Sequence, residues 1–264
     1  DIEIADKIVH EGDTNTAIRF PAADTFSVET AGSERFRIDS SGNIGAGIAP
    51  SSGARLWIAT NDNPFVGTRY NAGADGSVLF LQHSRSNTIG AGAALNDNDE
   101  VGTVQFRAFA SDNSSIKVAA LIKAEVNGTT GSGGVPTDLL FGTGTSSGNA
   151  TERLRITSDG KVGIGEDAPQ QKLHLHENSS NGNFMVFTNS TTGVTGNDGC
   201  LFGINSDEGG TIWNQENGYI RFGTNDTERL RIDVGGGMQL GTSTATASKL
   251  TVYGANDAAA ILQG

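Results

Sequence analysis

The segment "TERLRITSDGKVGIG" (151–165) decides the fold of this chain. Apolar residues recur at every second position on either side of a "SDG" turn, at Leu154, Ile156, Val162 and Ile164. Such alternation is typical of β-strands with one buried face, and Asp-Gly is typical of the tight turn between two of them. The segment therefore predicts a β-hairpin whose apolar side chains share one core, with Arg153 and Arg155 pointing away from it.

Two further copies of this hairpin occur at unequal intervals. They read "SERFRIDSSGNIGAG" (33–47) and "TERLRIDVGGGMQLG" (227–241). The turn of the last copy contains three glycines, which favours a looser hairpin there.

A second short strand follows each hairpin at nearly constant spacing. It reads "ARLWI", "QKLHL" or "SKLTV", and its basic residue (Arg55, Lys172 or Lys249) stands 20 or 21 positions after the glutamate of the hairpin. Constant spacing within a unit and variable spacing between units indicate one structural cassette with insertions between its copies. We call the units the first, second and third cassettes.

The insertions also predict strands. Their apolar runs are "SVLFLQ", "VGTVQFRAF" and "VAALIKAEV" in the first insertion and "NFMVFTN", "CLFGIN" and "YIRFG" in the second. The predicted fold is all-β and modular, with short hairpins and small β-sandwich or prism-like modules. The expected domain bounds are 1–49, 50–165, 166–241 and 242–264.

Glycines interrupt the second strand of the hairpin. Gly163 and Gly165 lie on the face opposite Val162 and Ile164. Glycine within a strand marks either close approach of another backbone or a bulge, and both interpretations remain open here.

Composition excludes several classes of protein. The chain has 264 residues, 37 glycines and a formal charge of −12, and an acidic chain without a basic stripe is unsuited to binding nucleic acid. No apolar run approaches 18 residues, so no membrane insertion is expected. Cys200 is the single cysteine, which excludes an intramolecular disulfide. The chain begins at Asp1 without methionine and ends soon after "KLTV", so we expect a section of a longer protein.

The cassettes resemble the repeated modules of tail fibres and related receptor-contacting proteins of tailed bacteriophages. The resemblance lies in "SERFRIDSSGNIGAGIAP", "TERLRITSDGKVGIGEDAPQQKLHL" and the opening "ADKIVHEGDTNTAIRF", and it covers nearly the whole chain. It implies an elongated, homotrimeric fibre of the virion, a tail fibre or other surface appendage, that spaces or presents host-binding elements. Its implied partners are other tail, baseplate or collar proteins and a glycan or protein on the host surface. A polysaccharide-cleaving tailspike and a carbohydrate-binding module are the alternatives.

His174 and His176 share one face of the predicted strand in "LHLH". Two histidines from each of three subunits would suit a metal on a threefold axis. The other interpretation is an ordinary solvent or packing face. Trp57, Thr251 and Tyr253 hold the corresponding positions elsewhere, so the other cassettes do not share a metal site.

"TIWNQENGYI" places Trp213, Glu216 and Tyr219 close together in sequence. Aromatic rings beside polar groups suit sugar binding, whereas the same rings equally suit the thin core of the module. "NDNDE" (96–100) is rich in oxygen ligands but lacks the spacing of a calcium loop, which favours a polar turn.

No pattern of catalytic residues stands out. No pair of carboxylates lies in an apolar setting, no nucleophile motif surrounds Cys200, and the glycine-rich stretches lack the lysine of a phosphate loop. The sequence therefore predicts a protein that is not an enzyme and that needs no cofactor.

Overall fold

The computed structural model describes residues 3–51, 53–70, 74, 76–112, 114–146 and 148–241. Every regular element within these ranges is a β-strand, so the all-β prediction is confirmed. No helix capable of spanning a membrane occurs in the described part of the chain. The chain divides into two compact units, 1–80 and 81–264, and the predicted domain bounds stay a prediction.

The first unit contains one six-stranded sheet whose strands follow sequence order. The strands are β1 (Lys7–His10), β2 (Asp13–Arg19), β3 (Phe26–Thr30), β4 (Ser33–Ile38), β5 (Ile44–Ala46) and β6 (Leu56–Ile58).

The second unit contains one six-stranded sheet and two three-stranded sheets, each again in sequence order. The larger sheet is formed by β7 (Glu100–Phe109), β8 (Ile116–Val126), β9 (Thr137–Thr145), β10 (Gly148–Ile156), β11 (Val162–Ile164) and β12 (Leu173–Leu175). The smaller sheets are β13 (Asn183–Phe187), β14 (Cys200–Ile204) and β15 (Gly210–Asn214), and β16 (Ile220–Thr224), β17 (Thr227–Ile232) and β18 (Met238–Leu240).

One predicted strand is absent. The run "SVLFLQ" (77–82) has no strand assignment, and Val78, Leu79 and Phe80 are each exposed. A strand needs a neighbouring strand to pair its backbone groups, so an apolar run without such a neighbour stays irregular despite its side chains. The predicted strand "SKLTV", with Lys249, Thr251 and Tyr253, and the segment 242–264 lie outside the described residues.

The hairpin of the cassette has the same register in all three copies. Leu154 opposes Ile164, as Phe36 opposes Ala46 and Leu230 opposes Leu240. In the first two cassettes a further strand, β6 or β12, pairs in parallel with the second hairpin strand. The corresponding residues of the third cassette lie outside the described ranges.

The turn is also common to the three cassettes. In the second, the Gly160 amide donates to the Thr157 carbonyl and the Thr157 amide to the Lys161 carbonyl. The corresponding bonds, made by Asp39 in the first turn and Asp233 in the third, repeat this pattern. The expectation of a looser third turn is wrong, because Gly236 takes the same left-handed conformation (φ 84°) as Gly160 (φ 75°) and supplies what the turn requires.

A β-bulge precedes each hairpin turn at the first arginine of the motif. Arg153 has no opposite residue on β9, and Arg35 and Arg229 are bulged in the same way against β3 and β16. The carbonyl of the bulged arginine accepts from a left-handed glycine at the end of the hairpin, as Gly165 donates to Arg153 over 3.0 Å. The bulge and this glycine therefore form one unit.

The glycines inside the hairpin allow the chain to cross over it. A Cβ on Gly163 would lie 2.1 Å from the Glu166 carbonyl oxygen, and one on Gly165 would lie 2.3 Å from that of His176. Gly45 and Gly47 are equally crowded in the first cassette. Close approach of another backbone is therefore the correct interpretation of these glycines. That backbone is the chain's own, in the connection to β12 at Gly163 and directly after β12 at Gly165.

Candidate functional site

The cassette sheets each carry an apolar face that is only partly covered. In the larger sheet of the second unit, a row of apolar residues runs across six strands: Val104, Ile122, Phe141, Leu154, Ile164 and Leu175. A matching row crosses the sheet of the first unit: Ile8, Ile18, Val28, Phe36, Ala46 and Ile58. We call the side of each sheet that carries Phe36, Leu154 or Leu230 its apolar face.

The side chains on these faces lie at the surface of the single chain. Ile156 and Ile164 remain 38% and 43% exposed, so they share a face as expected but do not close a core. Ala17, Leu95, Val126 and Leu140 are the buried hydrophobic residues in the described ranges. Exposed apolar area of this extent is typical of surfaces that another molecule covers.

The opposite face of the second cassette holds a buried ion-pair network. Asp138 is fully buried, and its carboxylate accepts from Arg155 and from the Asn127 side chain over 2.7 Å each. It also accepts from the Ser158 amide in the turn. Arg155 is paired with Glu152 as well, and the hydrogen bonds to Glu152 and Asp138 raise the pKa of its guanidinium. The network thus joins β9, β10 and the turn.

Arg155 points away from Leu154, as expected from the sequence. It does not lie in solvent, however, because its side chain is only 12% exposed and it opposes the buried Leu140. The chain between β11 and β12 covers this face, and its Pro169 is itself buried. Arg155 avoids an unpaired buried charge because two carboxylates hold it.

The other two cassettes keep the arginine and its first partner but change the second. Arg37 pairs with Glu34, and Arg231 pairs with Glu228, which lowers the pKa of that carboxyl. Tyr219 occupies the position in the third cassette that Asp138 occupies in the second. Asp138 directly precedes the residue opposite Ile156, and Tyr219 directly precedes the residue opposite Ile232. The guanidinium of Arg231 lies 4.3 Å from the centre of the Tyr219 ring.

The basic residue of the following strand binds the hairpin turn. Arg55 donates to the Ser41 carbonyl over 2.6 Å, and Lys172 donates to the Asp159 carbonyl over 3.2 Å. Ser41 and Asp159 occupy the same place in their turns, one residue before the left-handed glycine. This contact gives the constant spacing a physical cause.

Aspartates in the turns are stabilised as carboxylates. Hydrogen bonding to the Thr157 hydroxyl, with Lys161 nearby, lowers the pKa of Asp159 to about 2. Donors from Asn43, first its amide and then its side chain, lower the pKa of Asp39. These groups serve the turns, and their partners are all local.

The bulge turns the first arginine of the motif onto the apolar face. The Nε atom of Arg153 donates to Thr143 Oγ1 over 3.3 Å, and Thr143 lies two positions from Phe141 on the same face of β9. Arg35 is held by Thr30 and Arg229 by Thr224 in the same way. The expectation that Arg153 points away from Leu154 is therefore wrong, because an inserted residue shifts the alternation.

His174 and His176 lie beside each other, with ring centroids 6.3 Å apart. No group of three or more potential metal ligands occurs among the described residues. His176 borders a depression of about 540 Å³ that is also lined by Arg153 and four carboxylate residues: Glu152, Glu166, Asp167 and Glu177. The shared metal site stays a prediction.

The structure separates the residues of the candidate sugar site. Trp213 opposes Leu201 and is 61% exposed, whereas its neighbours Ile212 and Asn214 line a pocket of about 250 Å³ together with Tyr219. Glu216 accepts from the Gly199 amide over 2.7 Å. Tyr219 binds arginines and Glu216 supports a loop, while sugar binding stays a prediction for all three.

The residues of "NDNDE" form a polar turn. Asp99 pairs with Arg85 over 2.8 Å and accepts from the Asn96 amide, and these contacts lower its pKa. Asp97 accepts from the Gly128 amide. Both carboxylates therefore bind protein groups.

Asp138 was not predicted from the sequence as a site residue. Its signal was present but weak, as a charged residue directly before the apolar run "LLF" of β9. A single carboxylate at the start of a strand is common, and nothing local indicates that the arginine of the next strand meets it.

Comparison with known proteins gives limited likeness. No protein-family model and no curated protein sequence matches the chain. A solved carboxy-terminal domain of the bacteriophage T5 L-shaped tail fibre with its intramolecular chaperone domain is 14% identical, with a TM-score of 0.45 over 64% of this chain and 55% of that one. The carboxy-terminal domain of the same fibre is 12% identical, with a TM-score of 0.44 over 64% of this chain and 80% of that one. This chain thus matches about half the length of the first structure.

Proposed function

We propose that this chain is a structural, non-enzymatic fibre protein on the tail of a tailed bacteriophage, where it spaces or presents host-binding elements. The observation that carries the proposal is the apolar face that every cassette leaves exposed on the same side of the same hairpin. The resemblance of the cassette sequences to tail fibre modules supplies the biological setting.

The apolar faces require another molecule to cover them. Small sheets with one exposed apolar face are marginal in water, and several such faces in one chain favour self-association over a compact monomer. The family that the sequence resembles supplies the number three, so the proposed functional unit is a homotrimer packed through these faces.

Two measurements test this function. Native mass spectrometry of the purified chain is expected to give three times the mass of one chain, and a stable monomer at micromolar concentration would refute self-assembly. Immunogold electron microscopy of virions is expected to label a tail appendage. Gold on the capsid surface alone would refute the tail assignment.

The non-enzymatic role has its own test. Incubation with capsular polysaccharide or lipopolysaccharide is expected to release no reducing ends. Release that is abolished by replacing one Asp or Glu would favour the tailspike alternative instead.

A further inference from the structure

The bulge places an arginine on a face that the proposed assembly would bury. Arg153 is exposed, and its Nε atom donates to Thr143 Oγ1 over 3.3 Å, which leaves its two terminal nitrogens without a hydrogen bond to the described residues. The ion pairs of the described residues include none to Arg153. A charge that is buried without a partner is strongly destabilising.

Carboxylates border the same depression as Arg153. Asp167 and Glu177 are exposed, and neither forms an ion pair among the described residues, whereas Glu152 is bound by Arg155 and Glu166 caps the Ala168 amide. Arg153 and the two unengaged carboxylates thus lie at one end of the sheet without forming a pair within the chain.

In an assembly with rotational symmetry, the positive charge of Arg153 in one molecule complements the negative charges of Asp167 and Glu177 in the next. Subunits related by a rotation axis carry equivalent residues at the same height along it. Because Arg153, Asp167 and Glu177 border one depression in a single chain, they would lie at similar heights in every subunit of the proposed assembly. We propose that Arg153 forms an intersubunit ion pair with Asp167 and Glu177 of the neighbouring molecule; this inference rests on the proposed self-assembly.

The first cassette provides a built-in comparison. Arg35 has the same bulge and the same threonine contact, but Ala49 and Thr60 stand where the second cassette has Asp167 and Glu177. The first cassette therefore lacks the carboxylates that the ion pair needs. The ion pair aligns the second cassette with its own counterpart and disfavours pairing with the first.

Charge reversal in the full chain tests the ion pair. Arg153→Glu is expected to raise the concentration for half-dissociation, measured by analytical ultracentrifugation, by about tenfold or more. Arg35→Glu is the matched control and is expected to leave it within about twofold. The combined variant Arg153→Glu, Asp167→Lys, Glu177→Lys restores complementary charges and is expected to regain wild-type association.

The outcomes separate this inference from the proposed function. A wild-type monomer refutes self-assembly. A wild-type oligomer that Arg153→Glu leaves intact, or that the combined variant does not restore, refutes the ion pair alone. If circular dichroism shows that the variants do not fold, the salt dependence of the wild-type protein provides the test. The ion pair predicts weaker association in about 1 M NaCl, because charges are then screened over about 3 Å. Unchanged or stronger association at that salt concentration overturns the ion pair.

Discussion

The second and third cassettes hold the second arginine of the motif with different partners. Both bring the second arginine of the motif onto the face opposite the apolar one and pair it with the glutamate three residues before it. The second cassette adds the buried carboxylate of Asp138, whereas the third adds the ring of Tyr219. The hairpin, its bulge and its turn are therefore the same in both cassettes. The residue at the position of Asp138 or Tyr219, next to the hairpin, differs between them.

The largest effect is expected from breaking the buried pair of the second cassette. Asp138→Ala leaves Arg155 with one carboxylate and removes the acceptor of Asn127 and of the Ser158 amide. The free energy of unfolding is expected to fall by about 3–5 kcal/mol, measured by urea denaturation. Asp138→Asn, which keeps the shape of the side chain, is expected to cost less. A loss below about 1 kcal/mol for Asp138→Ala would show that the network contributes little.

Gly163 distinguishes the cassettes at a second position, because the third has Gln239 there. Gly163→Ala places a Cβ 2.1 Å from a backbone oxygen, so the connection to β12 has to shift. We expect a loss of about 1–3 kcal/mol in the free energy of unfolding. Gln239→Ala is the matched change and is expected to alter it by less than about 0.5 kcal/mol. Equal losses at both sites would contradict the backbone explanation.

The third cassette should be more tolerant than the second at its variable position. Tyr219→Ala removes a ring that is 45% exposed and lies against Arg231, so we expect a loss of about 0.5–1 kcal/mol by the same denaturation measurement. Tyr219→Phe keeps the ring and is expected to be nearly neutral. If Tyr219→Ala costs as much as Asp138→Ala, the two positions do not differ as proposed.

The smallest effect concerns pH and the turn of the second cassette. The pKa of Asp159 is lowered from 3.8 to about 2, so its hydrogen bonds stabilise the fold above about pH 4 and this contribution is lost as pH falls towards 2. Asp159→Asn is expected to give a shallower decline in thermal stability over that window than the wild type. The turn of the third cassette has Gly235 in that place, so Gly235→Ala serves as a control that leaves the slope unchanged.

Alternation and turn chemistry predicted the hairpins well, because both are local. Leu154, Ile156 and their partners share a face as expected, and Gly160 sits in the turn. Arg153 was misplaced because a one-residue bulge reversed its face. Arg155 points away from Leu154 as predicted, but Asp138 and the chain that crosses the sheet enclose it, which the sequence pattern did not indicate.

Non-local pairing limited the rest of the prediction. "SVLFLQ" has the composition of a buried strand, but whether it forms one depends on a neighbour that the sequence does not specify. Trp213 and Asn214 alternate across a strand, which separates the indole from the pocket that Tyr219 borders, while sugar binding itself stays a prediction. Trp213 and Tyr219 are close in sequence, but a strand and a loop lie between them, and closeness in sequence did not place them on one surface.

The parallel pairing of β11 with β12 has a consequence for how such chains change. Since β9, β11 and β12 all run in one direction, the chain leaves the second cassette with the polarity of the strand that precedes its hairpin, as it does in the first. An in-frame deletion or duplication between equivalent positions of two hairpins would remove or add everything between them and still leave complete hairpins. The length of such a chain is thus able to change by whole insertions.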